Sequence, residues 1–351
     1  MENKKNFAEP IIEFLSQIFT KNQSMEKAKF MLDANSFEKT AIIITAHKLG
    51  IFNKAIKPLS SKSLAISLKV NPTALERLLT SLASQGYLAE FKGKYQNTLI
   101  SNQYLNKKSP NYLGEYLNLL ALTWNHWNSL SATIKTGKPN KDMSLFSGNK
   151  KVIFQYYLTA NEIIKQPSEE LIEKLDLSNI QRMIAGEVSL TFIKELLNKN
   201  PKIQYNIGCL RNQKRFLKPL IKKYSLPNPQ KIHLSQGHPL KDSWGSQQYD
   251  VVFLYRKLAY AGYGKEFIKK SYQMLNKKGI IIILEPLTDS LFPATWLSKE
   301  IELMDLLMAG SKSPKLYSSS EIKNLLQKNN FREVETISTS KGSALFVVGR
   351  K

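Results

Sequence analysis

Two side chains of this sequence could move a proton to or from a small molecule near neutral pH. They are His126, in Trp124-Asn-His-Trp127, and Glu285, which follows the apolar run Gly279-Ile-Ile-Ile-Ile-Leu284. Imidazole titrates near neutrality, and a positioned carboxylate serves as acid or base where its surroundings tune it. A lone histidine between two tryptophans is more often a structural hydrogen-bonding group, so both roles stay open for His126. His47 lies in a strongly apolar helical segment and reads as packing at a dimer interface. No pairing of His with a carboxylate has metal-ligand spacing, so no metal is expected. The single Cys209 excludes an intramolecular disulfide and argues against a thiolate metal site.

The elements that must hold such groups come from 351 residues, enough for two or three domains with a substantial core. The net charge of +23 could serve an anionic partner such as nucleic acid or a membrane surface. Lysine and asparagine are both abundant, however, and the lysines are scattered rather than gathered in one block, so the charge reads as compositional. No apolar run approaches the length of a membrane span. Met-Glu-Asn-Lys-Lys at the start is not followed by the apolar region of a signal peptide, and a cytoplasmic location is expected.

Along the chain, residues 10–34 carry two helical patterns, the first crowded with Ile11, Ile12, Phe14, Leu15, Ile18 and Phe19. An apolar helix follows in "SFEKTAIIITAHKLGIFNKA". Gly50 with Ile51 and Phe52 behind it fits a helix C-cap. The next stretch reads helix, turn, helix and hairpin, with Ser61 as a cap for the first helix and Asn71-Pro72 opening the second. Short strands at 87–91 and 95–98 flank Lys92-Gly93-Lys94. That order is a winged helix. A DNA reader needs several Arg, Lys, Asn or Gln on its recognition helix. Pro72 to Gln85 offers only Arg77 as a cation, beside Glu76. Leu75, Leu78, Leu79 and Leu82 form an apolar stripe instead, so nucleic acid is not the expected partner.

Residues 112–175 are helical and rich in aromatic side chains, including Tyr112, Tyr116, Trp124, Trp127, Phe146, Phe154, Tyr156 and Tyr157. They read either as core or as the wall of an apolar ligand pocket. From Ser178 the pattern alternates strand and helix. Strands are expected near 182–185, 204–207, 231–234, 250–255, 279–284 and 343–348, and helices near 190–198, 215–223, 265–275 and 319–328. The fold class is therefore α/β, doubly wound, behind an all-helical and winged-helix N-terminal part.

In this order and spacing, "AHKLGIFNKA", "LAISLKVNPTALERLLTSLASQGYLAEFKGKYQNT", "WNHWNSLSATIKTGKP", "YDVVFLYRKL", "LNKKGIIIILEPL" and "SSSEIKNLLQKNNF" resemble the dimeric class I O-methyltransferases of small aromatic or polyketide-type substrates. The resemblance covers nearly the whole chain. It implies a winged-helix dimerisation domain at 1–110, a helical connector and pocket wall at 111–177, and a Rossmann-like methyltransferase domain at 178–351. It also implies S-adenosylmethionine (SAM) as methyl donor.

At the positions where that family contacts SAM, the residues here are of other types. The acid at the end of the first strand falls on Ala185, and the Gly-rich loop reads Gly186-Glu187-Val188-Ser189-Leu190. Val188 adds a β-branched side chain where the family needs room and positive φ. The acid that takes the ribose hydroxyls falls in "IQYNIGCL", at Gly208 and Cys209. The Gly-Asp pair beside the adenine becomes Gly237 and His238. The family's catalytic histidine falls on Ala259, followed by Tyr260, with Arg256 and Lys257 as neighbours. Alanine cannot accept a proton. Glu285-Pro286 stays at the strand end where the family has an acid that orients the base.

The resemblance therefore implies a scaffold of small-molecule, secondary metabolism in which SAM binding and methyl transfer are lost. The chain would act as a repurposed small-molecule binder or a non-methylating pathway enzyme. Two alternatives stand beside it: an inactive partner subunit of an active homologue, and an active SAM enzyme with an unusual site. The expected pocket is lined by Trp127, Phe154, Tyr157, Met304 and Met308, with His126 and Glu285 as its acid–base candidates. The expected ligand is apolar or aromatic, and the expected assembly is a homodimer or a heterodimer with a homologue.

Overall fold

A computed structural model describes residues 23–138, 149–209, 211–229, 232–237, 242, 248–258, 264–289, 316–339 and 344–351. The helical pattern at 10–19, Phe146, His238, Ala259, Tyr260, Met304 and Met308 lie outside the described residues. The chain divides into two compact units, 1–112 and 113–351.

In the first unit, helices α1 (Gln23–Ala34), α2 (Ser36–Leu49) and α3 (Ile51–Lys54) follow one another. Gly50 ends α2 in the left-handed region, φ 77°, with its N–H on the carbonyls of Ala46 and His47. Ile51 and Phe52 behind it are buried, the apolar contact that accompanies such a cap. The winged helix comprises β1 (Leu59–Ser60), α4 (Ser61–Leu68), α5 (Pro72–Ser84), β2 (Leu88–Phe91) and β3 (Lys94–Asn97), with sheet order β1-β3-β2. The cap of α4 is Ser60 rather than Ser61. Ser60 is extended and its hydroxyl accepts the Ser63 N–H, whereas Ser61 is already the first helical residue. Asn71 caps α5 through the Ala74 N–H, with Pro72 in the first turn. Leu75, Leu79 and Leu82 are buried, so this helix is used for packing.

The second unit opens with connector helices α7 (Gly114–Thr123), α8 (Leu130–Thr136), α9 (Lys150–Ile163) and α10 (Lys165–Lys174), following α6 (Leu99–Tyr104) of the first unit. A short 3-10 helix, Trp124–Ser129, joins α7 to α8. Then come β4 (Arg182–Gly186), α11 (Leu190–Lys199), β5 (Gln204–Cys209), α12 (Lys214–Tyr224), β6 (Ile232–Gln236), β7 (Tyr249–Tyr255), α13 (Gly264–Met274), β8 (Leu275–Leu284), α14 (Ser319–Lys328), β9 (Arg332–Ser338) and β10 (Leu345–Arg350). The strands form one sheet in the order β6-β5-β4-β7-β8-β10-β9. β4 to β8 pair in parallel, and β10 runs antiparallel to both β8 and β9.

Both faces of the sheet are covered, which is why its strands read as continuous apolar runs. Ile280, Ile282 and Leu284 face a core shared with the connector residues Leu119, Val152, Tyr157 and Leu171. Ile281 and Ile283 face the other core, with Ile268, Ile322 and Leu326. The chain runs from β4 outward to β6 and then crosses to β7 on the other side of β4. That reversal leaves a switch point at the C-terminal ends of β4 and β7, where open α/β sheets bind ligands.

Candidate functional site

The site is built on the end of β4. Ala185 pairs with Ile207 of β5 and Phe253 of β7, and Gly186 pairs with Gly208. Every residue from Gly186 to Leu190 is buried, and none of them has a positive φ. This is a packed turn that any residue type could trace in φ.

Asn161 of α9 locks the turn. It is fully buried. Its Oδ1 accepts the Thr191 N–H at 3.1 Å, and its carbonyl accepts the Thr191 hydroxyl at 2.8 Å. Its Nδ2 donates to the carbonyls of Tyr157, at 2.9 Å, and Glu187, at 3.4 Å. Ser189 stands at the N-cap of α11, but its side chain makes no cap hydrogen bond. The cap of α11 is thus supplied from another helix. A first-turn amide that could otherwise meet an anionic group is satisfied inside the protein.

Above the turn lies Lys257. A Cβ at Gly186 would sit 2.8 Å from Lys257 Cε, so glycine is kept here for close approach rather than for its φ. The Lys257 ammonium is 3.4 Å from a carboxylate oxygen of Glu187, whose side chain is 6% exposed against 20% for the lysine. The cavity bounded by Ala185, Gly186, Phe253, Lys257 and Phe267 measures about 20 Å3, space for about one water.

Backbone geometry holds Lys257 in place. Arg256 before it is left-handed, φ 52°, and donates its N–H to the carbonyl of Leu284 at 3.1 Å. Leu258 after it donates its N–H to Glu285 Oε1 at 2.8 Å. Glu285, 5% exposed, therefore positions the turn that leads into residue 259. The Arg256 guanidinium stacks over the Tyr156 ring at 5.6 Å.

Cys209 ends β5 and is buried, and its carbonyl accepts the Gly237 N–H. Burial, and then the nearby Glu187 carboxylate, push its thiol up to about 11. A neutral thiol is a weak hydrogen-bond acceptor where a carboxylate would be a strong one. Gly237 has φ 136°, and the Asp242 carboxylate fills the space where a Cβ would go.

The connector aromatics gather on α12. The Tyr157 ring meets Phe216 edge-on at 5.8 Å, and Phe154 lies 6.2 Å from the same ring. Trp127 is half-buried against this core. Tyr157 is 2% exposed and its hydroxyl has no hydrogen-bond partner among the described residues. Burial first, and then Glu187, hold that hydroxyl protonated far above its ordinary range. His126 is half-buried in the 3-10 turn, where its carbonyl accepts the Ser129 hydroxyl. The structure thus brings Tyr157, Glu187, Cys209 and Lys257 to one region of the strand ends. It engages Glu285 with the backbone of Leu258.

Asn161 was not legible as a site residue, although a single amide in the buried helical run from Tyr156 to Asn161 is a signal of a polar partner across the core. Lys257 was visible only as a cation near the expected base. Among the described residues no cluster of three His, Cys, Asp or Glu could hold a metal. No described helix is long and apolar enough to cross a membrane.

Residues 31–107 match the O-methyltransferase dimerisation domain. The chain is 27% identical over 180 residues to the 3-hydroxy-5-methyl-1-naphthoate 3-O-methyltransferase of Streptomyces sahachiroi, covering 48% of this chain and 51% of that one. It is 28% identical over 143 residues to the acetylserotonin O-methyltransferase of Gallus gallus, covering 38% and 40%. The chain therefore spans about half the length, or less, of the curated relatives it matches. Its fold is similar to that of an O-methyltransferase family protein from Burkholderia thailandensis, with a TM-score of 0.74 at 19% identity over 92% of this chain and 97% of that one. It is also similar to human N-acetylserotonin methyltransferase in complex with SAM, with a TM-score of 0.71 at 18% identity over 100% and 99%.

Proposed function

We propose that this chain keeps the scaffold of the class I SAM-dependent O-methyltransferases, which its dimerisation domain, its curated relatives and its fold resemble, and that it does not use SAM as a methyl donor in their way. The observation that carries this reading is the Lys257–Glu187 ion pair laid over Gly186. SAM brings a sulfonium, an ammonium and a ribose diol, all of which need acceptors and an open loop. In their place the strand ends offer an ammonium already paired, a thiol at Cys209 and a turn closed by Asn161. These residues do not fit the cofactor.

The chain acts instead as a binder of an apolar or aromatic small molecule, or as a non-methylating enzyme of a biosynthetic pathway. The two relatives are named for a hydroxynaphthoate and for acetylserotonin, which supports an aromatic ligand. Calorimetric titration with SAM tests the reading. No saturable binding below about 1 mM is expected, since losing one charged hydrogen-bond partner costs about 1.5–3 kcal/mol and several are lost. A dissociation constant in the low micromolar range, or SAM carried through purification, would sink the proposal.

The assembly we propose is a homodimer through the first unit. Phe30, Leu32 and Phe37 on α1 and α2 are 71%, 61% and 55% exposed in the single chain, large apolar side chains of the kind that obligate interfaces cover. Light scattering at micromolar concentration should give a dimer, and the double substitution Phe30→Asp, Leu32→Asp should give a monomer. A monomeric parent, or a variant that stays dimeric, overturns this arrangement. A stable dimer formed only with a homologue would assign the surface to a heterodimer.

A further inference from the structure

The edge of the sheet carries an open groove that the strand-end chemistry does not use. It lies between α12 and the edge strand β6, has a volume of about 500 Å3, and has no acidic residue in its lining. Its floor is apolar: Ile221 and Leu226 from α12 and its exit, and Ile232 and Leu234 from β6. The two β6 residues stand two apart, which puts them on one face of the strand. Its rim is Lys218 and Lys222, four residues apart on α12 and both exposed. Neither ammonium has a hydrogen-bond or ion-pair partner among the described residues.

Two like charges at this spacing on a helix repel, and α12 has no acid of its own to relieve them. An anionic group held between the two ammoniums removes that repulsion and gains charge-assisted hydrogen bonds. The volume is that of a small-molecule site rather than of a single ion. An apolar floor beneath a doubly cationic rim is complementary to one chemical type, an apolar chain or ring that ends in a carboxylate.

We propose that this groove binds an apolar carboxylate, one per chain. The site is independent of whether SAM binds at the strand ends, because it shares no residue with them. The probe is octanoate, kept below micelle-forming concentrations and titrated into the full chain by calorimetry, with octan-1-ol as its uncharged counterpart.

Saturable binding of one octanoate per chain is expected, at least about tenfold tighter than octan-1-ol. Lys218→Gln with Lys222→Gln should weaken octanoate by about tenfold or more, and added salt should weaken the parent in the same direction. The charge-keeping pair Lys218→Arg, Lys222→Arg should retain binding. Equal affinity for acid and alcohol, or no loss in the glutamine pair, overturns the proposal. So does binding to phosphatidylglycerol vesicles without binding of octanoate, which would assign the lysines to a lipid surface.

Discussion

Replacing Asn161 with leucine should lower the stability of the α/β unit by about 3–5 kcal/mol. Asn161 is fully buried, and its side chain serves the Thr191 N–H and the carbonyls of Tyr157 and Glu187. Leucine is close in size but offers no polar atom, so the Thr191 amide and the Glu187 carbonyl are left buried without partners. Each such group costs about 1–3 kcal/mol. The α11 helix also loses its cap, since Ser189 does not supply one. Urea unfolding measures the loss, and amide exchange at residues 187–191 should quicken with it. A loss under about 1 kcal/mol would mean that water takes over the role of Asn161 and that the turn is not locked.

The second large effect concerns the ion pair. Lys257→Met leaves the Glu187 carboxylate buried without its cation, and Glu187→Gln leaves the ammonium without its anion. Removing one partner of a buried pair costs about 3–5 kcal/mol. The lysine side chain is 20% exposed and partly solvated, so about 2–3 kcal/mol is expected for either single change. The double substitution should cost less than the sum of the two, because the coupling between them is removed once. Strict additivity in this cycle would show that the two charges do not interact. The double variant should still bind SAM poorly, since Cys209 and the Asn161-locked turn remain.

How much of this was legible before the structure follows from the range of each interaction. The sheet was legible because Ile280 to Leu284 must be buried on both faces, so its composition alone marks it. The winged helix was legible because Asn71-Pro72 and Gly50 are local signals, each satisfied within a few residues. Strand β9 was not legible. Its pattern is mostly exposed, with Val334 and Ile337 half-buried, and it owes its place to the antiparallel pairing with β10. The cap of α4 was misplaced by one residue because Ser60 and Ser61 are chemically equal. Only backbone conformation chose between them.

The sequence by itself determined the α/β order and the family resemblance, and it carried the expectation that other residue types stand where that family holds SAM. Those properties are written in local pattern and in residue identity. Only the tertiary structure decided what the residues at the strand ends touch. Lys257 and Glu187 are 70 positions apart, and Asn161 and Thr191 are 30 apart. Neither pair exists until β7 lies beside β4 and α9 crosses the end of β4. The same holds for Tyr157, whose helical stripe allowed either a pocket wall or core. Its ring was placed against Phe216 by the packing of α9 on α12. A side chain's partner across the core is set by which elements become neighbours, and that is a property of the assembled fold rather than of any segment within it.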